Sequence, residues 1–383
     1  MSTQTNLSDV RKPIELARGL PNAHYTDQKV YEEEREALLF SQWAGLGVVD
    51  DVPEIGDAVP ISFLGAPLLL IRDRNNNVRV FQNVCRHRGL TLVKEPRKIE
   101  GAIRCPYHSW CYSTDGRLVS TPHVGGPGQN THEAMEKSEL GLFEVRSHIW
   151  NNVVFINMDG NAPDFEIVHA DMLDRWKEFD VPVYHGGEDS IIRFDLKTNW
   201  KLVIENYCES YHLPWVHPGL NSYSRLEDHY HIIEPGKFSG QGTYVYRQIE
   251  DEDGTKFPDF PNLSDKWDTA GEYLTFLPNV MVGVQRDHIF AIVLRPEGVD
   301  RTIETCHLYY AHPDTSESLR KKNAEQWYEV FEEDIMAVER MQEGRHAPGY
   351  DGGRFSPAMD GPTHSFHEWV AERIETHRAI AAE

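Results

Sequence analysis

Two short segments pair a thiol with an imidazole: Cys85-Arg86-His87 and, seventeen residues further on, Cys105-Pro106-Tyr107-His108. Two Cys and two His are most simply used as a structural zinc site. Zinc fingers keep like with like, however, spacing Cys-x2-4-Cys and then His-x3-5-His. Here each segment holds one of each, C-x-H and C-x2-H, at what read as the tips of two neighbouring hairpin loops. Two thiolates then suit one metal and two imidazoles another. That is the ligand set of a [2Fe–2S] cluster in which two His replace two Cys on one iron and raise its potential. Such a centre carries single electrons, so the chain should also hold what receives them.

A second constellation lies in Asn199-Trp-Lys-Leu-Val-Ile-Glu-Asn-Tyr-Cys-Glu-Ser-Tyr-His-Leu-Pro-Trp-Val-His217. On a helix over 199–211, Glu205, Glu209 and His212 fall at i, i+4 and i+7 of one face. Pro214 must break or kink that helix, so His217 can turn back towards His212. Two imidazoles and one carboxylate make a facial triad that leaves positions open for O2 and substrate. The carboxylate is expected from a long helix near 316–344, where Trp327, Phe331, Asp334, Val338 and Met341 form an apolar stripe with Asp334 in its middle. A buried carboxylate needs a cation or a shifted pKa, which a metal on His212 and His217 would supply. The alternative is an Asp334 paired with Arg or Lys, or capping a bend. Glu332, Glu333, Glu339 and Arg340 lie off the stripe, where solvated charges belong. Glu209, one turn before His212, is placed to take an imidazole N–H, as carboxylates beside metal-bound His commonly do. Its alternative is an exposed helix face.

The elements that must position these residues fall into three stretches. Residues 1–43 hold a helix from Thr26, read as its cap, to Trp43. Residues 44–160 read as a small all-β domain: strands at Ala58–Phe63, Pro67–Arg72, Val78–Val84, Trp110–Ser113, Arg117–Val119 and Trp150–Met158, with Asn75-Asn76-Asn77 and Asp115-Gly116 as turns. Residues 161–383 mix helices with serial strands, including Ser190–Leu196, Thr243–Ile249, Tyr273–Phe276, Val280–Val284, His288–Leu294 and Thr302–Ala311. Strands with few intervening helices imply an antiparallel sheet, so the fold class is α+β. At 383 residues the chain suffices for two cores.

With 38 Lys and Arg against 61 Asp and Glu, the formal charge is −23, which argues against nucleic acid as a partner. Five Cys, two of them claimed by the cluster, argue against a disulfide scaffold and for a reducing, cytoplasmic setting. No run approaches eighteen apolar residues, so no membrane span is expected. No Gly-x-Gly-x-x-Gly follows a strand, so electrons from NAD(P)H should come through a separate reductase.

On both motifs the chain resembles the catalytic (alpha) subunit of the Rieske non-haem iron oxygenases. C-x-H-x17-C-x2-H looks like the family's cluster motif, with Cys85, His87, Cys105 and His108 as ligands. Glu209-x2-His212-x4-His217 looks like its iron motif, and Glu333-Asp334-Ile335 like the segment supplying the third ligand. The resemblance implies an N-terminal Rieske β-domain on a helix-grip catalytic domain, a mononuclear Fe(II), O2 as co-substrate and a head-to-tail homotrimer. It also implies that Glu209 is the catalytic bridging acid, across which electrons pass from one subunit's cluster to the next subunit's iron. That acid is commonly Asp. Glu in its place resembles the branch acting on quaternary ammonium compounds such as carnitine and glycine betaine, which hydroxylates an N-methyl group.

The physical counterpart would be an aromatic cage for a methylated cation, drawn from Tyr223, Tyr244, Tyr246, Trp267, Tyr273, Phe276 and Phe290. The rival readings are ring dihydroxylation or O-demethylation by the same centre, a Rieske electron carrier without catalysis, and a zinc-stapled binding protein.

Overall fold

The computed structural model describes residues 5–382. It divides into two compact units, one of Leu46–Asn161 and one of the residues before Leu46 together with those from Ala162 onward.

In the first unit, strands Asp57–Phe63, Ala66–Arg72 and Val78–Gln82 form an antiparallel meander, and Arg97–Lys98 pairs with the outer edge of Asp57–Phe63. A second sheet holds Ala102–Arg104, Cys111–Ser113 and Leu118–Ser120. Their apolar faces meet in a core that includes Leu69, Ile71, Phe81, Ile103, Trp110 and Tyr112. One strand is shorter than the sequence suggests. Asn151 and Asn152 adopt φ of 42° and 65°, so the expected strand Trp150–Met158 is instead a hairpin of Arg146–Trp150 with Val153–Asn157. Asn tolerates the left-handed region, and two such residues in succession make the turn whose twist suits a hairpin.

The second unit is built on an eight-stranded antiparallel sheet. Its order is Tyr184–His185, Arg301–Tyr310, His288–Gly298, Val280–Val284, Gly271–Phe276, Phe238–Thr243, His229–Glu234, with Ile191–Leu196 also on Arg301–Tyr310. The expected strand Thr243–Ile249 is displaced: the chain is extended at Phe238–Thr243 and irregular after it. Phe238-Ser-Gly-Gln-Gly-Thr243 has little β-propensity, but close packing needs its glycines. A Cβ on Gly240 would come within 2.1 Å of the Tyr273 carbonyl oxygen.

Three helices pack on this unit's strands and on one another: Trp200–Cys208, Glu317–Gly344 and Gly361–Ala381. Asn199 caps the first by accepting from the Lys201 N–H at 3.1 Å. A one-turn helix occupies Ala23–Thr26, and the helix expected from Thr26 begins one residue later, at Gln28. Its cap is Asp27, which accepts from Lys29 and Val30, and not Thr26; the helix runs to Glu34 and continues as a π-helical turn over Arg35–Phe40. Glu34 then reaches the fully buried Lys201 ammonium at 2.6 Å and the His24 ring at 2.8 Å. A buried pair of this kind ties the segment to the helix carrying Asn206 and Cys208.

Candidate active site

The two thiol–imidazole segments adopt one backbone form. The N–H of each Cys donates five residues ahead, Cys85 to the Leu90 carbonyl and Cys105 to the Trp110 carbonyl, both at 2.8 Å. Each Cys carbonyl in turn accepts from four residues ahead, from Gly89 and Ser109, at 3.0 Å. Gly89 and Ser109 close the turns with φ of 74° and 55°. Both thiols are buried; His87 is exposed and His108 half-buried, their rings 4.7 Å apart. Burial and the facing Cys85 push the Cys105 thiol up, and partial loss of water on its inner side, with the nearby His108 and Arg88, holds His87 low. His108 Nδ1 is buried without a hydrogen-bond partner. Two inner sulfurs and two outer ring nitrogens, one of them unclaimed by protein, fit a cluster with one iron held by each pair.

The second constellation assembles differently from the sequence expectation. The helix ends at Cys208, and Glu209 is extended (φ −122°, ψ 159°), so it shares no helix face with His212. Pro214 does not kink that helix. It lies in the first turn of a new one, Leu213–Val216, where its missing N–H leaves no bond unmade. The one-turn helix nonetheless brings the two imidazoles together, ring centroids 5.1 Å apart. His212 Nε2 and His217 Nε2 face the same Asp334 oxygen, at 3.6 and 3.0 Å. Among the described residues these three form the group able to hold one metal ion, with ligand atoms all within 4.8 Å of one another.

Carboxylates fix the far side of each ring. His212 Nδ1 meets Glu209 Oε1 at 2.6 Å, and His217 Nδ1 meets Glu333 Oε2 at 2.8 Å. Each Nδ1 then carries the proton, and each Nε2 presents a lone pair to the centre. Burial opposes protonation of His217, but Asp334 and Glu333 outweigh it and hold its pKa above the usual range. Glu333 and Glu339, expected to be solvated, both have partners, Glu339 accepting from the Lys197 N–H at 2.9 Å. Asn206 Nδ2 donates to Asp334 at 3.1 Å. Behind Asp334, burial and the Asp334 charge push Glu304 up to about 8.

A cavity of about 790 Å³, counting its open mouth, lies over this group. Of the seven expected cage aromatics, Tyr223, Tyr246, Tyr273 and Phe290 line it. Tyr244 does not; it is 63% exposed and stacks on Tyr230. Trp267 packs edge-on to Phe179, and Phe276 is buried against Phe165 and Trp176. Trp327 and Phe331, read as core stripe, complete the wall, with Phe290 4.5 Å from Trp327. His229, which the sequence reading passed over, also lines the cavity. Its Nδ1 meets Gln241 at 2.8 Å, and Gln241 donates to the Glu209 carbonyl at 3.0 Å. Burial holds His229 low. No Lys or Arg appears among the described residues lining the cavity.

The family model for the ring hydroxylating alpha subunit (catalytic domain) matches residues 173–376, and that for the Rieske [2Fe-2S] domain matches residues 42–134. The chain belongs to the ring-hydroxylating alpha subunits. As such it is a Rieske-type oxygenase, with a Rieske [2Fe–2S] cluster and a mononuclear iron as cofactors, and it depends on a reductase, a substrate and O2. This alpha subunit is 28% identical over 356 residues to the carnitine monooxygenase oxygenase subunit of Escherichia coli K12, covering 91% of this chain and 90% of the relative. It is 26% identical to the chloroplastic choline monooxygenase of Arabidopsis thaliana, covering 94% and 83%. Its fold matches a solved quaternary ammonium Rieske monooxygenase, studied for carnitine oxidation and inter-subunit electron transfer, with a TM-score of 0.78 at 22% identity over 98% and 100% of the two chains. Among the described residues no helix is long and apolar enough to cross a membrane.

Proposed function

We propose that this alpha subunit hydroxylates an N-methyl group of a quaternary ammonium compound, the carbinolamine then dividing into amine and formaldehyde. The observation that carries the reading is the cavity wall. Tyr223, Tyr246, Tyr273, Phe290, Trp327 and Phe331 surround a space beside His212, His217 and Asp334, and π-faces in that number suit a methylated cation that cannot donate hydrogen bonds. The relatives named for carnitine and choline support the same class.

In this reading Cys85, His87, Cys105 and His108 hold the cluster, and His212, His217 and Asp334 hold the iron, which supplies the oxidising chemistry. The chain's own groups do the rest. Glu209 and Glu333 hold the two rings by Nδ1, so that each aims its Nε2 at the centre. The aromatic wall excludes water, and the Gln326 amide offers hydrogen bonds to a polar tail. Glu209 is the bridge by which electrons arrive from a neighbouring subunit's cluster in a homotrimer, supplied by an NAD(P)H-dependent reductase. None of the five cysteines forms a disulfide, which supports a cytoplasmic setting.

The test is turnover with reconstituted reductase on choline, glycine betaine, carnitine and aromatic hydrocarbons. Formaldehyde from a quaternary ammonium compound is the expected result; diols from the aromatics alone would overturn the reading. Asp334→Ala should lower iron from about three to about two atoms per chain while the cluster's visible spectrum persists. Full iron retention in that variant would reject the ligand assignment.

A further inference from the structure

The cavity's aromatic wall is wired to a buried carboxylate. Trp327 Nε1 donates to His288 Nε2 at 2.8 Å. An indole N–H can only donate, so His288 carries its proton on Nδ1, which lies 2.8 Å from Asp287 Oδ1. The Tyr246 hydroxyl donates to the same oxygen, also at 2.8 Å. Two wall residues thus turn their polar ends to one carboxylate, Tyr246 directly and Trp327 through His288.

Asp287 and His288 are 0% and 1% exposed, and Asp287 Oδ2 is buried without a partner. Among the described residues no Lys or Arg bonds to this carboxylate. The adjacent Arg286 is committed to Asp259, at 2.6 and 2.9 Å, and to Asp268 at 3.2 Å. A buried carboxylate met by neutral donors and by no bonded cation is costly. Its cost falls when a positive charge sits across the rings. A phenol donating to a carboxylate is also richer in π-electrons and attracts a cation more strongly.

We propose that Asp287 is a positioning residue that sets specificity: its carboxylate, acting through Tyr246 and through His288 and Trp327, biases the cavity towards a cation over a neutral molecule of the same shape. This rests on the quaternary ammonium reading and names the group that enforces it.

The experiment uses holoenzyme and two probes, choline and its uncharged carbon isostere 3,3-dimethylbutan-1-ol, with dissociation constants from titration calorimetry. Asp287→Asn keeps the shape and an acceptor oxygen for Tyr246 and His288 but removes the charge. It should weaken choline binding by about tenfold and leave the isostere within about twofold. Tyr246→Phe, which cuts the direct link and keeps the ring, should reduce the same preference and stands in if Asp287→Asn does not fold. Equal weakening of both probes, or no change in either, would overturn the proposal. A wild-type enzyme with no preference for choline would defeat the functional reading and this inference with it; a wild-type preference that survives in both variants would defeat this inference alone.

Discussion

Glu333 shows how one side chain can be read correctly in position and wrongly in role. It is 42% exposed along its side chain, as a residue off the apolar stripe should be, yet its Oε2 holds the His217 ring at 2.8 Å. Removing it frees the ring to rotate. Glu333→Ala should weaken iron retention by about 10–100-fold with the cluster spectrum unchanged, measured as iron left after dialysis against a graded chelator. Unaltered retention would mean that Asp334 alone orients His217. The sequence could not reveal this contact, because periodicity reports which face of a helix a residue occupies and not what lies across from it. By contrast, the two Cys/His loops and the approach of His212 to His217 were legible, since those residues lie within a few positions of one another. Trp327 and Phe331 sat on a stripe that looked like core. An apolar face reads the same whether it meets a side chain or a substrate.

At the scale of elements, the helix Trp200–Cys208 carries a charge that its burial alone would forbid. Glu205 is 8% exposed and meets the His367 ring at 3.1 Å, the Arg345 guanidinium at 3.3 Å and the Tyr25 hydroxyl. Burial pushes its carboxyl up, but His367, Arg345 and Tyr25 outweigh it and bring the pKa down from 4.5 to about 2. The unfolded chain therefore binds the proton first as pH falls. The stabilisation is complete above about pH 4.5 and is lost towards pH 2. Between pH 5 and 3.5, Glu205→Gln should lose less stability than the parent by about 1 kcal/mol, read from urea unfolding at the two values. Parallel losses would show that Glu205 is not the group responsible. The helix's end at Cys208 was misplaced in the sequence reading because nothing between Glu209 and His212 forbids helix. Local and distant contacts meet at its end: the Glu209 carboxylate turns to the Tyr211 and His212 N–H groups and the His212 ring, and its carbonyl accepts from Gln241 across the fold.

For the whole molecule, the inter-subunit route for electrons proposed above makes a prediction that no single chain can satisfy. Cys85→Ser, lacking the cluster, and Asp334→Ala, lacking the iron, should each be inactive. Co-expressed, the two should recover activity, because an intact cluster on one subunit can serve an intact iron on the next; a co-purified mixed oligomer without turnover would refute the route. The α+β class and the antiparallel sheet were readable from serial strands, whereas the pairing of His229–Glu234 with Phe238–Thr243 was not, since its glycines answer to close backbone approach. The tethering of Glu205 carries a practical warning. Residues far out along a chain are ordinarily the ones to trim or decorate with a purification handle. Here Tyr25 and His367 grip Glu205, whose immediate neighbour Asn206 touches Asp334. Shortening the protein past either grip would loosen the seat of the metal itself, so expression trials that clip those regions risk mistaking a lost tether for a dead enzyme.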